Sequence, residues 1–101
     1  MGDRVSVSFK NKGEESVVLF DHWGGREFAE KAADYAERLK EEVGNKETQP
    51  LDRLEPNTVM VDFIREVTKD MERVVSGLYL GATPDDGDSS DNGHFTIDVT
   101  K

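Results

Sequence analysis

Apolar residues recur at every second position near both ends of this chain and at every third or fourth position through its middle. That switch of period restricts it to strands flanking helices, because strand side chains alternate between two faces whereas helical ones return after about 3.6 residues. Val5, Val7 and Phe9 alternate with Ser6, Ser8 and Lys10, the pattern of a strand with one buried face. Asn11, Lys12, Gly13 and Glu14 then turn the chain. Ser16, Val17, Val18, Leu19 and Phe20 bring it back as the second strand of a hairpin, a run apolar on both faces and therefore further inside the sheet.

Phe28, Ala32, Tyr35, Ala36, Leu39 and Val43 draw one stripe along a first helix that Gly44 and Asn45 stop. Glu27 with Lys31 and Asp34 with Arg38 are acid-before-base pairs on its solvated face. Residues 44–55 read as a surface connection pinned by Leu51 and Leu54. Pro56 suits the first turn of a second helix, where its missing N–H costs nothing. Met60, Phe63, Ile64, Val67, Met71, Val74 and Val75 form that helix's stripe, and Ser76 and Gly77 end it. Leu78, Leu80 and Ala82 then alternate with Tyr79 and Gly81, and Phe95, Ile97 and Val99 with Thr96, Asp98 and Thr100. These last two strands are expected to close a second hairpin around an acidic, turn-rich loop that lacks apolar anchors and should be mobile.

The order strand, strand, helix, helix, strand, strand has no strand-helix-strand alternation, which favours an α+β fold over a parallel α/β one. The expectation is a four-stranded antiparallel sheet (ββααββ) with two helices packed on one face and the other face half exposed. Its core should include Val5, Val7, Phe9, Leu19, Phe63, Ile64, Val67, Met71, Leu80, Phe95 and Ile97. At 101 residues the chain reads as a single domain spanning 1–101.

Composition narrows the function classes. There is no cysteine, which removes disulfides, thiolate zinc sites and thiol catalysis and suits a cytoplasmic location. No apolar run has the length of a membrane span. Asp and Glu number 22 against 13 Lys and Arg, a formal charge of -9, which opposes direct nucleic-acid or anionic-lipid binding and suits a partner protein with a basic surface.

The candidate binding site is the junction where the strand pattern gives way to the helix pattern: Asp21, His22, Trp23, Gly24, Gly25 and Arg26. It holds the chain's one Trp and one of its two His. His22 offers acid-base or ligand chemistry, Trp23 a stacking platform, and the glycines a close approach for a partner's backbone. Trp23 could equally fold back as a lid on the core. Arg26 at a helix start invites an anion, but Glu27 and Glu30 occupy the same first turn and oppose one.

Asp88, Ser90 and Asn92, followed by Gly93, match the front half of a calcium loop of the EF-hand type. The match ends at Val99, where a bidentate Glu is required, so Asp88, Ser90 and Asn92 stand only as a weak metal alternative. His22 and His94, with Asp21 or Asp91, would make a metal-dependent or hydrolytic site if the fold joined them. No nucleophile, base and oxyanion set is legible, so no catalytic residue and no cofactor are expected. The reading is a non-enzymatic protein-interaction or regulatory domain.

The run Phe20, Asp21, His22, Trp23, Gly24, Gly25 before a helix, with Tyr79, Gly81, Asp91, Asn92, Ile97, Asp98 and Val99 towards the end, resembles a group of short uncharacterised proteins, often prophage-associated in bacteria. The resemblance spans most of the chain and implies a strand leading through His-Trp-Gly-Gly into two helices and a closing hairpin. It implies no activity. Here the third strand begins Ser76, Gly77, Leu78, Tyr79, Leu80, Gly81 where that group has a Thr-Gly-Tyr-Gly-like start.

Overall fold

The computed structural model describes residues 2–42, 54–71 and 77–100. Five strands, β1 (Val5–Asn11), β2 (Glu14–Glu15), β3 (Val18–Asp21), β4 (Leu78–Gly81) and β5 (His94–Asp98), accompany two helices, α1 (Gly25–Glu42) and α2 (Pro56–Thr68). The fold is α+β, as the periodicity predicts. Val43, Leu51, Val74, Val75 and the helix stops at Gly44, Asn45 and Ser76 lie outside the described residues. Leu54, the other expected anchor, is buried in the core cluster although its φ of 51° is left-handed, and its carbonyl accepts from Asn11 Nδ2 at 3.1 Å.

β1 is the hub of the sheet. It pairs antiparallel with β2 through Lys10 and Glu15, and antiparallel with β3 through Val7 and Leu19. These two registers differ by one residue, so Ser16 and Val17 form a bulge between β2 and β3. Ser16 holds it together: its N–H donates to Phe9 O at 2.8 Å, and its Oγ accepts from Phe9 N at 2.9 Å. The first hairpin is therefore as expected.

The second hairpin is not. β4 pairs antiparallel with β3, through Leu19 and Leu80, while β5 pairs parallel with β1, through Val7 and Phe95. The two strands lie at opposite edges in the order β4, β3, β1, β5, so the sheet is mixed, antiparallel except for one pairing. The physical reason is the length of the connection. Residues 82–93 reach up to about 40 Å when extended, whereas three strand spacings need about 15 Å. A loop this long releases β5 from its sequence neighbour.

That connection is also a strap over the second face of the sheet. Tyr79 stacks on Phe20 with centroids 4.8 Å apart, and Gly87 lies so close that a Cβ there would stand 2.7 Å from both rings. Phe20 is consequently inaccessible, and Ser6 and Ser8, bonded to His94 and Glu15, are buried beside it. Lys10, Tyr79, Thr96 and Asp98 on the same face stay exposed, so that face is half exposed, as expected. The strap is anchored rather than loose. Thr83 caps a 3-10 turn at Pro84–Asp86, Asp88 N donates to Tyr79 Oη at 3.1 Å, and Arg4 binds Asp88 at 2.7 Å and Asp91 at 2.9 Å.

Both helices cover the other face. Val5, Val7, Phe9 and Leu19 form one cluster with Phe28, Tyr35 and Leu39 of α1 and Val59, Met60 and Phe63 of α2. Phe63 is its centre, with ring centroids 5.3 Å from Phe9, 5.7 Å from Phe28 and 5.2 Å from Tyr35. Ile64, Val67, Phe95 and Ile97 are partly buried at its margin. Leu80 and Met71, expected in the core, are 56% and 42% exposed. The helices pack on β1 and β5, so β4 extends beyond their cover, and alternation alone could not say which strands lie beneath helices.

Candidate interaction surface

The chain from Asp21 to Arg26 leaves β3 and enters α1 through a backbone tied on both sides. His22 N donates to Gly77 O, His22 O accepts from Asp3 N, and Gly25 N donates to Asp3 O, each at 2.8 Å. Asp21 Oδ1 accepts from Trp23 N at 2.9 Å. Gly25 has a φ of 65°, where an L side chain is strained, and a Cβ on it would collide with the Asp3 carboxylate. A Cβ at Gly24 would come within 2.6 Å of Asp21 Oδ2 and 2.7 Å of Phe28 Cβ. Close packing within the chain therefore requires both glycines. Carboxylates from Asp3 and Asp21 lie against the start of α1, where they match its dipole and repel an anion.

Trp23 is 59% exposed. Its ring meets His22 edge-on with centroids 4.4 Å apart and rests beside Gly77, where a Cβ would stand 3.1 Å from the indole Cδ1. Arg26 is exposed and His22 partly so. Of the alternatives open for Trp23, the core lid is excluded, and a large aromatic sits on the surface with its backbone immobilised.

The second histidine has a different setting. Ser8 Oγ donates to Glu15 Oε2 at 2.7 Å. With its one proton used, Ser8 Oγ accepts from His94 Nε2 at 3.2 Å, leaving Nδ1 to accept from Ser6 Oγ at 2.8 Å. For the neutral ring, which the burial of His94 favours, these partners select the Nε2–H tautomer. Burial holds the His94 pKa below its ordinary 6.5, against an opposing pull from Glu15. The bulge makes this possible, since a one-residue slip turns Glu15 to the same face as Ser6 and Ser8. Hydroxyl, imidazole and carboxylate match a nucleophilic catalytic set in residue type, with Ser6 and Ser8 0% exposed.

His22 and His94 both lie towards one end of the sheet, opposite residues at the start of β1. They do not form a shared site: both nitrogens of His94 are committed to serines, and among the described residues no group of three His, Asp or Glu could hold a metal ion. Asp88, Ser90 and Asn92 are turned to internal uses. Asp88 Oδ2 binds Arg4 and its Oδ1 accepts from Ser90 N, while Asn92 Nδ2 donates to Asp3 Oδ1 at 2.7 Å. No helix among the described residues is long and apolar enough to cross a membrane.

Sequence reasoning missed two features. The His94 network needs the bulge and the parallel β5, and Ser6, Ser8 and Glu15 gave no signal beyond polarity. The other is a shallow apolar groove of about 320 Å³ lined by Leu19, Ile64, Leu78, Tyr79 and Leu80, for which the uncharged run Leu78, Tyr79, Leu80, Gly81 was the available clue. Compared with known proteins, the chain matches no family model, no curated protein and no solved structure.

Proposed function

We propose that this chain is a non-enzymatic protein-interaction domain whose contact surface centres on the loop carrying His22, Trp23 and Arg26. One observation carries the reading: Trp23 is 59% exposed on a backbone fixed by three hydrogen bonds to Asp3 and Gly77. Exposing an indole to water is unfavourable and nothing in the local packing requires it, whereas a rigid aromatic loses little entropy on binding and anchors interfaces well. The acid excess of 22 against 13 selects a partner with a basic surface and disfavours nucleic acid. The absence of cysteine fits a cytoplasmic setting. Capture of host proteins by wild type and by Trp23→Ala, with circular dichroism confirming that the variant folds, tests the reading. The expected result is a partner lost with the indole, at a cost of about 2 kcal/mol or more. A partner retained equally by the folded variant would remove the loop as the binding centre.

A further inference from the structure

Beyond the indole, the surface continues along β4, which Trp23 meets at Gly77. β4 is an edge: it pairs with β3 on one side, and among the described residues no strand pairs with the other. Its hydrogen-bonding pattern follows from the register. His22 N bonds to Gly77 O, and bonded pairs alternate in an antiparallel ladder, so Tyr79 and Gly81 turn their N–H and C=O towards β3. Leu78 and Leu80 turn theirs outward. Natural edges are usually blunted by charge, proline or a covering element, and Leu78, Tyr79, Leu80 and Gly81 contain neither charge nor proline.

The two sides of this edge differ in chemistry. On the helix side, Leu78 and Leu80 border the apolar groove with Leu19 and Ile64. On the strap side, the Asp86 side chain stands against Gly81 and Asp88 N reaches Tyr79 Oη, within a segment, 82–93, that has four carboxylates and no Lys or Arg. A strand laid against β4 sends alternate side chains to these two sides.

We propose that β4 accepts an extended partner segment in which apolar and basic residues alternate, added as a new edge strand with its apolar residues over the groove and its basic ones towards Asp85 and Asp86. This inference rests on the interaction reading above and names the partner's chemistry and its mode of docking. A second copy of the chain is the poorer occupant, since pairing β4 with β4 would bring two straps of like charge together, each in a molecule of formal charge -9.

The test uses the full chain and a capped synthetic peptide of alternating Lys and Val, seven residues long, with two controls: alternating Glu and Val, and a block of Lys followed by a block of Val. The readouts are the amide signals of Leu78 to Gly81 and the fluorescence of the single Trp. The expected result is a saturable shift at Leu78 and Leu80 with the Lys-Val peptide, weaker by at least about tenfold with either control. Leu80→Pro, which deletes an outward N–H and spares the β3 ladder, should weaken binding by at least about tenfold. Leu80→Lys should do the same while leaving every backbone bond in place. No saturable response, equal response to the controls, or concentration-dependent self-association mapped to Leu78 to Gly81 would overturn the proposal. Binding abolished by Trp23→Ala but untouched by both Leu80 variants would overturn strand addition and leave the Trp23 reading standing.

Discussion

Ser6 Oγ lies 2.8 Å from His94 Nδ1, joining residues 88 positions apart in sequence on neighbouring parallel strands. With the ring neutral and protonated on Nε2, Ser6 donates to Nδ1, and a second proton there would turn that hydroxyl away.

Acid should therefore loosen the fold through this residue. The folded His94 pKa is depressed below 6.5 by burial, so the folded state favours the neutral ring. The resulting stability is present above the unfolded value and is lost as pH falls from about 6.5 through the folded pKa. Thermal melts at pH 7.5 and 5.5 should show a decrease in wild type that His94→Asn lacks, a kcal/mol corresponding to about 4–8 °C for a domain of this size. An identical decrease in both proteins would mean that other groups set the acid limb.

The strap should be sensitive to volume at Gly87. A Cβ there meets Phe20 and Tyr79 at 2.7 Å, while the backbone φ of -146° is open to any residue, so the penalty is contact and not conformation. Gly87→Val should cost about 1–3 kcal/mol in urea unfolding and increase solvent access to Phe20. A substitution within about 0.5 kcal/mol of wild type would show that the strap does not press on this ring.

Phe63 holds the aromatic cluster between the helices and β1, with ring centroids at 5.3, 5.7 and 5.2 Å from its own and no exposure. Truncation to Ala should cost about 3–5 kcal/mol, a large share of the stability of an ordinary domain. Val61, on the same helix but 62% exposed, is the control: Val61→Ala should change stability by less than about 0.5 kcal/mol.

Calcium should leave the strap unchanged. Arg4 already occupies Asp88 Oδ2 and Asp91 Oδ2, and hydrogen bonds from Ser90 and Arg4 hold the two carboxyls below the ordinary Asp value. Amide spectra should show no saturable shift at Asp88 to Gly93 with sub-millimolar calcium. Arg4→Gln should instead accelerate hydrogen exchange across those residues, and unchanged exchange would reassign the anchoring to Tyr79 and Asn92.

The kinds of element were legible in the chain alone, because periodicity and turn residues are local: the first hairpin, both helices, and the core positions Val5, Val7, Phe9, Leu19 and Phe63 could all be read there. The bulge that splits the second strand into β2 and β3, making five strands of the expected four, could not. The loop of Trp23 was legible too. Where β5 goes was a tertiary matter, since a long connection leaves pairing to competition among distant edges, and the parallel partner on β1 won. That choice set His94 against Ser6, Ser8 and Glu15 across a bulge, and drew over Phe20 a strap that looks unanchored when read locally. It also left Leu80 outside the core it alternates with, because a strand's period tells which face a residue takes but not whether a helix lies above it.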